Sequence, residues 1–419
     1  MKRITKSIAR LAGFNRKALI KLAVLIAFGS IAITLLLIAG GGQIDTIAQA
    51  AAPQARFQMQ VPKGLPADIW AYLVPEDNPL TTEKVALGEK LYFDKRLSAD
   101  RSVSCATCHD PATALADNNP LAVGIELKKG ARNSPTVLNA MFNELQFWDG
   151  RAPSLEEQAK LPIINPIEMG MKDHDAVVER VRAVADYQKQ FAAIFPDEGI
   201  TIDTIAKAIA SFERTQLSGN SPFDRFIAGD EKAISAAAKR GWELFNGQAR
   251  CMSCHAFNAS SPFFSDFKFH NIGVAAKDQN FNLLARRARQ ITASNPRSAE
   301  LVDQLALSEG FSELGRYLVT KQQRDIGAFK TSMLRDIELT APYMHNGSEK
   351  TLLDVVKFYN KGGEPNANLD GGMRPLKLTD PQMDDVVEFM KTLTSDDTRR
   401  KIKSVKPQTR APISASGDR

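Results

Sequence analysis

The chain has 419 residues, 43% hydrophobic and 24% charged, a balance that excludes a disordered chain and allows about two or three domains with their own cores. Its formal charge of +6 is confined to the beginning: residues 1–50 hold seven Lys and Arg against Asp45 alone, so residues 51–419 carry 47 basic and 47 acidic side chains. A neutral body lacks the basic stripe that a nucleic-acid surface needs, and no nucleic-acid partner is expected.

In chain order, the first element is Leu22 to Ile44, 23 residues without a charge, preceded by the basic stretch. It has no polar face, so it reads as an export segment rather than a buried core helix. Two forms fit it. One is a cleaved signal peptide with a small-residue site near Ala48-Gln49-Ala50; the other is an uncleaved anchor with its basic end in the cytoplasm, since the run can span ~30 Å of hydrocarbon. Both place the remainder in the periplasm, free or tethered to the inner membrane.

Next come two related stretches, Leu87-Gly88-Glu89-Lys90-Leu91-Tyr92-Phe93 and Arg240-Gly241-Trp242-Glu243-Leu244-Phe245, each reading as an amphipathic helix that runs toward a cysteine motif. The four cysteines fall into Cys105-Ala106-Thr107-Cys108-His109 and Cys251-Met252-Ser253-Cys254-His255. Two disulfides would be the ordinary reading of four cysteines in an exported chain, but Cys-x-x-Cys-His is the spacing that attaches c-type haem. Two thiols add to the two vinyl groups of one porphyrin, and the next residue is thereby carried under the iron as axial ligand. A four-Cys zinc site brings its pairs about 15–20 residues apart, far closer than here, and no strand pattern supports a thioredoxin-like setting.

Between and after the motifs, Ser154 with Glu157 forms a capping box, residues 173–195 and 201–214 carry helical periodicity, and Thr379-Asp380-Pro381 starts a helix through Met383–Leu393. Alternating strand patterns are nearly absent. The expected fold is mainly α, two tandem c-type cytochrome domains with long loops and one covalent haem each. They cover 56–217 and 222–395, joined at a hinge in Ser218-Gly219-Asn220-Ser221-Pro222, with an insertion over 275–325 in the second. The polar tail, 396–419, is expected to fray.

These motifs, together with Gly130-Ala131-Arg132-Asn133-Ser134-Pro135-Thr136-Val137-Leu138-Asn139, Phe147-Trp148-Asp149-Gly150-Arg151 and Asn165-Pro166-Ile167-Glu168-Met169-Gly170, resemble the bacterial di-haem cytochrome c peroxidase and MauG-type family. Ser221-Pro222-Phe223-Asp224-Arg225-Phe226 and Leu339-Thr340-Ala341-Pro342-Tyr343-Met344-His345-Asn346-Gly347 extend the likeness, which covers roughly 65–395. The resemblance implies that peroxide reacts at the first haem and that the second accepts and stores electrons. It makes Glu168 the carboxylate that moves a proton between the peroxide oxygens and Gln158 a distal-pocket hydrogen-bonding residue. Trp148 becomes the bridge between the haems, and Asn133 with the carbonyls of Thr340 and Pro342 an inter-haem calcium site.

In many family peroxidases a His in a Gly-His-x-x-x-x-Gly segment blocks the first iron until reduction. Here that segment reads Gly124-Ile125-Glu126-Leu127-Lys128-Lys129-Gly130, and Ile125 cannot ligate iron. The first haem is therefore expected to be five-coordinate without reductive activation. For the second haem the family's sixth ligand falls on Tyr359, the MauG-like choice, with Met344 or Met333 as alternatives; an anionic oxygen lowers the iron potential and a thioether raises it. His345 and His270 are expected to support haem propionates or backbone rather than iron.

The leading functional expectation is a di-haem c-type peroxidase that reduces hydrogen peroxide to water with electrons from a small cytochrome c or cupredoxin. A MauG-like oxidase, spending the stored oxidising equivalents on a protein or other substrate, is the second, and a di-haem electron carrier without peroxide chemistry the third. The family often dimerises, so a homodimer is also expected.

Overall fold

Helices begin where the chain supplies a side-chain acceptor for the free N–H groups of a first turn. In the computed structural model, which describes residues 55–68, 70–274, 280–293 and 298–405, the helices of six residues or more are numbered here in chain order. They are α1 (Thr82–Tyr92), α2 (Leu155–Ile164), α3 (His174–Arg182), α4 (Ala185–Ile194), α5 (Ile202–Arg214) and α6 (Pro222–Ile227). After these follow α7 (Ala236–Asn246), α8 (Phe281–Ala293), α9 (Ser298–Ala306), α10 (Leu352–Asn360), α11 (Asp380–Lys391) and α12 (Asp396–Ser404). The export segment, 22–44, lies outside the described residues, and no described helix is long and apolar enough to cross a membrane. Strand among the described residues is confined to Phe269–His270 paired antiparallel with Phe329–Lys330.

Thr81 Oγ1 accepts the Lys84 N–H at 3.2 Å and opens α1; Ser154 Oγ accepts the Glu157 N–H at 3.2 Å and opens α2. The expected capping box at Ser154 is half made, because the Glu157 carboxylate turns to Lys160 at 2.6 Å. The helical periodicity over 173–195 is realised as two helices, α3 and α4. Val181 and Tyr187 are both buried, and six residues along one continuous helix would put them on different faces, so the chain breaks at Val184 and starts again.

The two related stretches ahead of the cysteine motifs have one packing purpose. A Cβ on Gly88 of α1 would stand 1.9 Å from the Ala208 carbonyl of α5; a Cβ on Gly241 of α7 would stand 1.9 Å from the Asp385 carbonyl of α11. Each glycine lets two helices cross at backbone contact, and four residues later Tyr92 or Phe245 is fully buried. One apolar cluster gathers residues from Leu65 to Leu217 with Phe263. A second, from Phe223 to Leu393, is built on Phe223, Trp242, Phe245, Phe264 and Phe389, whose rings meet mostly edge to face. A third and smaller cluster, from Ala285 to Ile326, belongs to the segment expected to be an insertion.

Two polar stretches hold more tertiary contacts than their composition suggests. In the segment expected as the hinge, Ser218 and Ser221 are buried, Asn139 brackets Ser218 through both its amide atoms at 3.0 Å, and the Asn220 N–H donates to Lys63 O at 2.6 Å. Gly, Ser and Asn serve there because the chain is threaded through a tight polar passage. The tail also holds structure as far as Ser404. Ser395 caps α12, Ser218 Oγ bonds Thr398 Oγ1 at 2.8 Å, and Asp396 pairs with Arg225, so local polarity is outweighed by tertiary partners. Residues 406–419 lie outside the described part.

Candidate haem-binding site

One continuous cavity is lined by both Cys-x-x-Cys-His segments. In the first, Ser104 precedes a single helical turn, Cys105–Cys108; in the second, Arg250 enters a turn over Cys251–Ser253 with φ 56°. In both, the His N–H donates back to the first cysteine's carbonyl, at 3.0 Å for His109 and 2.8 Å for His255, so cysteines and imidazole are presented together. All four cysteines are free thiols. Burial raises the Cys105 thiol and pushes Cys251 up to about 12, so both are neutral thiols at ambient pH.

The two imidazoles share one setting. His109 Nδ1 faces the Leu115 carbonyl at 3.3 Å and His255 Nδ1 the Phe264 carbonyl at 2.8 Å. A carbonyl only accepts, so each Nδ1 carries the proton and each Nε2 is left as a lone-pair donor. Burial lowers the proton affinity of both rings and keeps them neutral. These residues fit two covalently attached haems.

Glu168 lies in the turn after α2. Its N–H donates to Asn165 O at 3.1 Å, and its carbonyl accepts the Ile125 N–H at 2.9 Å. The side chain lines the cavity, and Oε2 is buried without a hydrogen-bond partner. Burial, then the Asp303 charge, raises its carboxyl to about 8 against the pull of Arg151. Gln158, on α2, lines the same cavity. Ile125 is 5% exposed, packs against Gly170, and anchors the 124–130 loop to the Glu168 backbone.

Trp148 also lines the cavity; its Nε1–H donates to Asn133 O at 2.9 Å, and its carbonyl accepts the Lys330 N–H at 2.8 Å. Tyr359, Met344 and Met333 all line it, and burial raises the Tyr359 phenol. Asn133, Thr340 and Pro342 are cavity-lining as well, with the Asn133 amide donating to Asn119 O at 2.7 Å. His345 is buried, stacked on Phe329 at 3.6 Å, with Nε2 2.9 Å from Glu313. His270 lies between Asp370 at 2.7 Å and Asp266 at 3.0 Å.

Sequence reading passed over three buried ionisable groups. Glu213, on α5, lines the cavity with Oε2 unpartnered. Lys330 lines it too, donates to Leu145 O at 2.8 Å, and is driven down to about 7 by burial. Asp303, on α9, pairs with Arg151 at 2.8 Å. No motif marks them; for Glu213 the available signal was an acid sharing a helix face with Ala206, Ile209 and Ala210.

Comparison with known proteins gives consistent relatives. A family model described as di-haem cytochrome c peroxidase matches residues 82–232. The methylamine utilization protein MauG of Methylorubrum extorquens is 38% identical over 380 residues, 90% of this chain and 95% of that protein. The cytochrome c551 peroxidase of Pseudomonas aeruginosa is 35% identical over 324 residues, 77% of this chain and 81% of that one. Among solved structures, a MauG-like protein associated with microbial copper homeostasis superposes with a TM-score of 0.63 at 29% identity, over 85% of this chain and 97% of that chain.

Proposed function

The chain belongs to the di-haem cytochrome c peroxidase family, and from that premise we propose that it reduces hydrogen peroxide to water with two electrons delivered by a small periplasmic redox protein. Cys105, Cys108 and His109 would hold the first haem c; Cys251, Cys254, His255 and Tyr359 would hold the second. When bound, the haem iron supplies the open coordination position for peroxide and the electrons that reduce its O–O bond.

The observation that carries the reading is the unpartnered Glu168 Oε2 at the cavity wall. A group that takes a proton from the inner peroxide oxygen and returns it to the outer one works best with an affinity near ambient pH, and burial brings this carboxyl there. An electron carrier has no use for such a group. Gln158 would orient the bound oxygen, and Trp148, tied at both ends of its backbone and ring to Lys330 and Asn133, would carry electrons between the two sites. Asn133, Thr340 and Pro342 would hold calcium through oxygen ligands.

A second reading, a MauG-like oxidase, draws on Ile125 and Tyr359. The 124–130 loop carries Ile125 at the blocking position, and the Ile125 N–H is bonded to the Glu168 carbonyl, which favours a first haem open in the resting state. Peroxide added to the ferric holoprotein tests all of this. Rapid oxidation of reduced cytochrome c, lost in Glu168→Gln, supports the peroxidase. A persistent spectral change at both haems without turnover moves the assignment to the oxidase. No response in the wild type, or full activity in Glu168→Gln, overturns the role of Glu168.

A further inference from the structure

Residues 275–325 look like an appendage in the sequence, yet α9 sends one buried side chain onto the turn that carries Glu168. Asp303 is 3% exposed. Its Oδ1 accepts the Arg151 Nε–H at 2.8 Å and its Oδ2 the Asn165 Nδ2–H at 2.5 Å. Asn165, also buried, is the residue on which the Glu168 turn is wound: its Oδ1 accepts the Ile167 N–H at 3.0 Å, and its carbonyl accepts the N–H of Glu168 at 3.1 Å and of Gly170 at 2.8 Å. Rotating the Asn165 amide would break both of its side-chain bonds, so Asp303 settles its orientation.

We infer that Asp303 is a positioning residue for Glu168, acting through Asn165 on the geometry of the turn and through Arg151 on its charge. The inference rests on the reading of Glu168 as the proton-moving group. Arg151 is the cation nearest to hand for a Glu168 anion, but it is already taken. It meets Asp149 at 3.1 Å and Asp303 at 2.8 Å, and Arg132 completes the buried chain at 2.7 Å from Asp149. Two carboxylates and two guanidinium groups meet there, with Lys330 beside Asp149 and Glu313, paired with His345, beside Arg132; Glu168 has no ion pair of its own. Other charged groups around the turn are otherwise engaged: Lys128 pairs with Glu126 at the exposed loop surface, Asp100 bonds Ser102, and Arg180 donates to Ser98 O. The Cys105 thiol, which also senses Glu168, becomes a thioether once haem is attached.

Removing the Asp303 charge frees Arg151 for Glu168, so the carboxylate forms at lower pH. Asp303→Asn keeps an amide oxygen to accept the Asn165 Nδ2–H while losing the charge, so its holoprotein should react faster with peroxide than wild type at pH 6–7, on the order of tenfold for one pKa unit. At high pH the advantage disappears. A gain in rate is not what a merely loosened structure produces. The second readout is infrared difference spectroscopy: the protonated-carboxyl band that Glu168→Gln removes should titrate at lower pH in Asp303→Asn. Asn165→Ala, which breaks the tether without changing charge, should lower the rate and leave the midpoint in place. Asp303→Ser, smaller and uncharged, should give the same shift and serves if the Asn variant fails to fold. An unmoved Glu168 band in the uncharged variants overturns the inference, while undiminished peroxide reaction in Glu168→Gln overturns the reading beneath it.

Discussion

Glu213 offers a stability test that does not depend on catalysis. The side chain sits near the end of α5, 6% exposed, with Oε2 unpartnered. Its neighbour Arg214 is committed to Glu156 by two bonds of 2.6 and 3.0 Å, so burial dominates and raises the Glu213 carboxyl from 4.5 to about 8. That difference corresponds to at most about 5 kcal/mol, since one pKa unit is ~1.4 kcal/mol. The sign follows from which state binds the proton. Below pH 4.5 both folded and unfolded chains are protonated and nothing is lost; between 4.5 and 8 the folded state alone keeps the proton, and stability falls as pH rises; above 8 the full penalty is present. Glu213→Gln imitates the protonated form at every pH. Guanidinium unfolding of the two holoproteins should give nearly equal stability at pH 5 and a Gln variant more stable by several kcal/mol at pH 9. Because every other titrating group is shared, the change in the gap isolates Glu213. An equal gap at both pH values, or a less stable Gln variant at pH 9, would refute the assignment of a buried, uncompensated carboxyl.

Further outcomes follow from the same structure. Tyr359→Phe should alter the electronic spectrum of the second haem in the ferric state; an unchanged spectrum transfers the ligand role to Met344 or Met333, which line the same cavity. Gly241→Ala should lower the thermal midpoint, because its Cβ would stand 1.9 Å from Asp385 O and 2.9 Å from Phe389 Cβ. The loss expected for such overpacking, up to about 3 kcal/mol, exceeds the ~1 kcal/mol that alanine recovers in helix propensity. Gly88→Ala should behave alike at the α1 and α5 crossing, and a neutral effect at both would mean the helices can separate without loss.

The haem-attachment residues were legible because their chemistry is local: five consecutive residues carry both thiols and the imidazole, and no distant partner is needed to specify them. Helix starts were legible for the same reason, with Ser154 and Thr379 each bonding a group three residues away. Legibility stopped where a residue's behaviour depends on what is packed against it. Ser218–Pro222 has the composition of a hinge and is bonded to Asn139 and Lys63; residues 396–404 have the composition of a loose tail and form a docked helix.

The sequence by itself determined two haem-attachment motifs, a mainly helical chain and, through a family likeness, the candidate roles of Glu168, Trp148 and Tyr359. The tertiary structure alone decided the electrostatic setting of those residues. Asp303 and Asn165 are 138 positions apart, as are no two members of a local motif, and they meet only because α9 folds back onto the α2 turn. The physical reason is that a carboxyl's charge, unlike a cysteine's spacing, is set by dielectric and counter-ions, which are properties of the packed interior and not of the neighbouring residues in the chain.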